Sequence, residues 1–155
     1  MLHGSDLRYE ATVMRALRYF DLIGPLAVMR WAELWATRDE GTGAVIDLAA
    51  MSAPLAQEVD DALADLCEQL GLAPTTASEA AMTTAVDAAR DLVEGRIDSS
   101  TAAHWIWQVA RLGPAVPPQL TGFIGLASEW DDHPEDAAYY EDQVRREAAL
   151  LAGES

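Results

Sequence analysis

Chemistry in this chain would have to start from three histidines, one cysteine and a surplus of carboxylates. The histidines are His3, His104 and His133, and the cysteine is Cys67. His104 lies in a tryptophan-rich run, where a hydrogen-bonded structural imidazole is the ordinary role. His133 precedes Pro134 in a turn and is placed to cap the helix that follows. Glu129 stands four residues before His133, a spacing too common to specify a metal. A di-iron or di-manganese bundle wants two Glu-x-x-His elements and further glutamates on facing helices, and the chain has none. One cysteine cannot build a thiolate zinc site, and no His-Glu-x-x-His occurs. Gly-x-Ser-x-Gly, a phosphate loop and Gly-x-Gly-x-x-Gly are also missing. A cysteine–histidine pair meets only in space, but Cys67 adjoins Leu66 and reads as a small buried hydrophobe. The doublets Asp60-Asp61 and Asp131-Asp132 follow from composition and carry little weight as acid–base pairs. No catalytic residue, cofactor or metal is assigned.

Charge is more informative than motifs. The formal net charge is −16 over 155 residues, and all ten basic residues are arginine. Nucleic-acid binding needs cations to neutralise phosphates, so direct binding of DNA or RNA is not expected. An anionic membrane surface repels the chain for the same reason. From Asp39 to Ala89 ten acids occur without one basic residue, and from Leu112 to Val144 seven more. Arg8 to Arg38, by contrast, holds five arginines against three acids. An acidic surface suits a basic protein partner, because complementary fields raise encounter rates and bias partner choice. The plainer role of such faces is solvation.

A lone cysteine rules out an intrachain disulfide. The first twenty residues mix charged and apolar side chains, unlike a secretory signal, and no apolar run reaches the roughly 18 residues of a membrane span. A cytoplasmic protein is expected.

The elements that must position these groups read as helices. Apolar residues recur at helical spacing over about 5–21, 25–37, 54–71, 78–94, 99–112, 119–130 and 135–152. The segment 44–51 is ambiguous between a short helix and a packed loop. Ser5 or Asp6 can cap the first helix, and Gly71 ends the one that starts near Ser52 and Pro54. The stretch Gly95–Pro114 is the expected centre of packing. It opens on a glycine, offers Asp98, Ser99 or Ser100 as a cap, and buries Ala102, Trp105, Ile106 and Val109, while Trp107 points elsewhere. The expected architecture is an all-α, single-domain bundle of six or seven helices spanning 1–155.

Within residues 91–151, "DLVEGRIDSSTAAHWIW" and "LTGFIGLASEWDDHPEDAAYYEDQVRREAALL" resemble a group of small helical bacterial proteins of the polymorphic-toxin immunity type. The residues that carry the resemblance are Gly95, Ile97, Ala102, Ala103, Trp105, Ile106, Phe123, Leu126, Glu129, Tyr140 and Ala148 to Leu151. It implies a protein that blocks a toxin domain and does no chemistry itself. Residues 1–75 are not covered by it.

The expected function is therefore a non-catalytic binding module, of immunity or antitoxin type, that neutralises a basic toxin domain. The candidate partner-binding residues are Asp60, Asp61, Asp65, Asp131, Asp132, Glu135 and Asp136, with Trp107 or Trp130 as the apolar anchor. An enzyme or ligand-binding bundle with a pocket lined by Trp31, Trp35, Trp105 and His104 is the alternative. A bacterial adaptor is a third reading, and self-association stays open.

Overall fold

The computed structural model describes residues 6–38 and 42–153. His3, Ser5 and Asp39, named above, lie outside the described residues. The all-α expectation holds. Among the described residues there are eight α-helices: α1 (Leu7–Tyr19), α2 (Pro25–Ala36), α3 (Gly43–Ala49), α4 (Ala56–Gln69), α5 (Ala77–Val93), α6 (Ser99–Ala110), α7 (Thr121–Asp132) and α8 (Ala137–Leu151). Short 3-10 turns at Pro118–Leu120 and Pro134–Asp136 lead into α7 and α8. The count exceeds the expected six or seven because the ambiguous segment is a helix. Thr42 caps it by accepting from the Val45 N–H, and Val45 and Leu48 are fully buried.

Local signals set the ends. Asp6 caps α1, accepting from the Tyr9 N–H at 3.1 Å, and Asp98 caps α6, accepting from Thr101 at 2.7 Å. Such caps satisfy N–H groups that the first helical turn leaves without an intrahelical acceptor. Gly71 adopts φ 73° and Gly95 φ 75°. Each closes its helix with paired bonds that satisfy the last carbonyls: Gly71 to Glu68 with Leu72 to Cys67, and Gly95 to Leu92 with Arg96 to Asp91. The start of α4 falls later than Ser52 and Pro54 suggested. Ala53 takes the strained φ of 45°, and the helix begins after Leu55, whose N–H donates to Glu58 Oε2 at 2.7 Å.

The chain divides between Thr76 and Ala77 into two compact units, each with its own apolar core. In the first, α2 packs on α3, α3 on α4 and α1 on α4. Val28, Trp31, Ala32 and Trp35 form one face of α2 and meet Val45, Leu48, Val59, Leu63 and Leu66. Trp35 is completely buried. On α1, Leu7, Glu10, Ala11 and Met14 face inward beside Val13 and Ala16.

In the second unit, α5 packs on α6 and α8, and α7 packs on α6 and α8. Ala85, Ala88 and Ala89 of α5 and Ala102, Ala103 and Ala110 of α6 are buried, and their small side chains let the helix axes approach closely. Leu92, Ile106, Leu120, Phe123 and Val144 supply the bulk. The helix in Gly95–Pro114 is thus the centre of this second core, while the first is built on α2 and its tryptophans. Trp105 is half-buried, less covered than its spacing suggested.

Candidate functional site

The densest grouping of the expected partner-binding residues is the corner between α7 and α8. Proline builds it. A residue before proline is driven out of helical geometry, and His133 sits at φ −129°, ψ 63°. That ends α7 at Asp132, and a 3-10 turn restarts the chain into α8. All six residues from Asp131 to Asp136 are consequently exposed.

Asp131 and Asp132 occupy the last turn of α7, where the helix dipole disfavours negative charge, whereas Glu135 and Asp136 lie before α8, where it favours it. Two histidines offset part of this charge. His104 Nε2 lies 2.9 Å from Asp131 Oδ1, and its Nδ1 lies 2.7 Å from the Ser100 carbonyl. With an acceptor at each nitrogen, the ring is favoured as the doubly protonated imidazolium. The Ser100 carbonyl, followed by Asp131, raises its pKa above 6.5. His133 bonds Glu135 at 3.2 Å, which raises the histidine's pKa. His133 therefore does not cap the last helix through its side chain, contrary to expectation.

Ser100, His104 and Asp131 contain the residue types of a nucleophile–base–acid set, but the geometry does not work as one. Ser100 Oγ lies 3.4 Å from Nδ1, and that nitrogen donates to the carbonyl of Ser100 itself. A general base needs a free lone pair facing the hydroxyl it deprotonates. The pair holds α6 to the end of α7.

Aromatic rings lie under the charged corner. Trp130 stacks on Tyr140 at 6.3 Å, and Tyr139 meets Tyr140 edge-on at 5.2 Å. Tyr140 is buried, whereas Tyr139 is 60% exposed. Burial, helped by Glu129 and Asp136, pushes the Tyr140 phenol above its usual 10. Trp130, the expected anchor, is half-buried. Trp107, the other anchor, is half-buried as well, with the Arg111 guanidinium 4.6 Å over its ring.

The expected residues on α4 belong to the first unit and differ among themselves. Asp60 is taken up internally: its two oxygens accept from Arg18 Nε and Nη2 at 2.8 and 3.1 Å. Asp61 is exposed and accepts from Gln57 one turn earlier at 2.8 Å. Asp65 is exposed.

Spacing did not reveal the clamp inside the first unit. Glu10 is 2% exposed and accepts from both indole N–H groups of Trp31 and Trp35. Its signal was an acid flanked at helical spacing by Leu7, Ala11 and Met14. Trp31 and Trp35 pack on this carboxyl in the first unit, and Trp105 and His104, the other residues of the alternative pocket, belong to the second unit. Cys67 is buried, and burial raises its thiol pKa. Among the described residues no three His, Cys, Asp or Glu side chains converge on a metal-binding position. No helix among them is long and apolar enough to cross a membrane.

Comparisons with protein-family models, curated proteins and solved structures gave no match.

Proposed function

We propose that the chain is a non-catalytic, cytoplasmic binding protein of immunity or antitoxin type, which covers a basic surface on a toxin domain. The observation that carries the reading is the α7–α8 corner. Six successive exposed residues include Asp131, Asp132, Glu135 and Asp136, set beside Trp130 and Tyr139. Sequence from Leu112 to Val144 supplies no arginine to neutralise them. Aromatic anchors ringed by charged residues are a common hot-spot arrangement, and the acidic field speeds encounter with a cationic partner. The placement of Asp132 against the α7 dipole fits a surface kept for binding more than for stability.

The test is coexpression with the product of the adjacent reading frame. That product alone should arrest growth, and this chain should restore it. The Asp132→Arg, Asp136→Asn variant should restore it less. Equal growth with and without the chain overturns the proposal, as does full rescue by the variant.

A further inference from the structure

The first unit carries a groove that the corner does not explain. It is open, about 500 Å³ in volume, and lined by Met51, Ser52 and Pro54 from the loop before α4 and by Glu58, Ala62 and Asp65 from α4 itself. Positions 58, 62 and 65 share one face of a helix. The small Ala62 leaves space between two carboxylates, and Met51 and Pro54 supply an apolar wall. Pockets that take a compact ligand span roughly 300–1,000 Å³. Glu58 is held at one end by its bond from the Leu55 N–H. Asp65, at the other end, makes no ion pair among the described residues.

Apolar walls between two carboxylates match an arginine, whose methylene stem favours apolar contact while the guanidinium takes carboxylate oxygens. The same helix already receives one. Arg18 of α1 reaches α4 and pairs with both oxygens of Asp60, in a separate groove bordered by Leu63 and Ala64. No basic residue occurs between Asp39 and Ala89 to fill the second groove locally. We infer that the groove of Met51, Pro54, Glu58, Ala62 and Asp65 receives an arginine side chain of a protein partner. This rests on the reading of the partner as basic, and it gives the first unit a contact of its own.

The probe is acetyl-Gly-Arg-Gly-amide titrated into the uniformly labelled full chain and followed by amide chemical shifts. Its citrulline counterpart has nearly the same shape without the charge. The arginine peptide should shift Met51, Ser52, Ala62 and Asp65 saturably, and the citrulline peptide should not. Asp65→Asn, at an exposed position, should weaken the effect about threefold with the helical circular dichroism unchanged. Equal shifts with citrulline overturn the inference, as do unchanged binding by Asp65→Asn and absence of groove shifts. Shifts confined to Glu129–Asp136 overturn it too, yet leave the basic-partner reading standing. The growth assay decides that reading separately.

Discussion

The indole N–H of Trp31 donates to Glu10 Oε1 across 3.0 Å, and Trp35 donates to the same oxygen across 3.2 Å. Trp31 and Trp35 lie one helical turn apart, so both rings of α2 reach a single carboxyl on α1. Buried N–H groups are costly when left without an acceptor, about 1–3 kcal/mol each. Glu10→Leu removes the acceptor from both and should cost about 2–4 kcal/mol, after the gain from burying leucine. Glu10→Gln keeps a carbonyl oxygen and should cost less, about 1 kcal/mol. Urea unfolding followed by tryptophan fluorescence measures both. Leucine as stable as wild type would show that the clamp adds nothing to stability.

Arg18 is 7% exposed at its side chain and Asp60 37%. The guanidinium also donates to Asp21 Oδ1 at 2.7 Å and to the Ile23 carbonyl. Hydrogen bonding to Asp60 is the main cause of its raised pKa. Removing one partner from a largely desolvated pair leaves the other charge poorly compensated. Asp60→Asn should therefore lose about 1–2 kcal/mol, since partial exposure discounts the pair. Asp61→Asn, on the exposed neighbour, should lie within about 0.5 kcal/mol of wild type. Chemical denaturation of the two variants separates these outcomes, and equal stability would mean that the Arg18 pair contributes no more than a surface contact.

His104 makes stability depend on pH. Its folded pKa is raised, chiefly by the Ser100 carbonyl and then by Asp131. The stabilisation from the charged ring is complete below its ordinary 6.5 and disappears as pH rises through the higher folded value. The stability difference between wild type and His104→Gln should accordingly shrink as pH rises from below 6.5 through the higher folded value. Imidazole proton shifts should titrate with a midpoint above 6.5, and Asp131→Asn should bring that midpoint part of the way down. It should not bring it the whole way, because the Ser100 carbonyl remains. A midpoint unmoved by Asp131→Asn would remove Asp131 as a cause.

Helix content was legible because it rests on short-range signals. Asp6, Asp98, Gly71 and Gly95 act within a few residues of themselves, and their places in the chain reveal their work. The face of α1 was harder. Tyr9–Val13–Phe20 and Leu7–Ala11–Met14 are both acceptable stripes, and the second is chosen by contact with residues far along the chain, including the two indoles on Glu10. The segment 44–51 was undecided for a related reason, since a seven-residue helix owes more to packing than to propensity. Of the candidate residues, Asp131 to Asp136 were recognisable as one exposed corner because Pro134 fixes a turn there. Asp60 looked equivalent to Asp61, and only Arg18, 42 residues earlier, distinguishes it. The link from Asp131 to His104 likewise spans 27 residues.

Asp132 can separate a binding role from a structural one. It stands in the last turn of α7, where the carbonyl end of the helix favours a cation, and nearby Glu129, Asp131 and Glu135 repel it. Asp132→Arg reverses both effects and should stabilise the protein by about 0.3–1 kcal/mol, more in low salt than in high. Replacing a surface acid with arginine at this end should thus raise the thermal midpoint. If the corner meets a basic partner, the same substitution should slow association and weaken its dependence on salt, because a steering charge has changed sign. Thermal melts give the first quantity and stopped-flow association with the partner gives the second. Higher stability with slower association is the signature of a residue kept for binding. Higher stability with unchanged association would leave Asp132 as ordinary solvated charge and move the contact to another face of the unit.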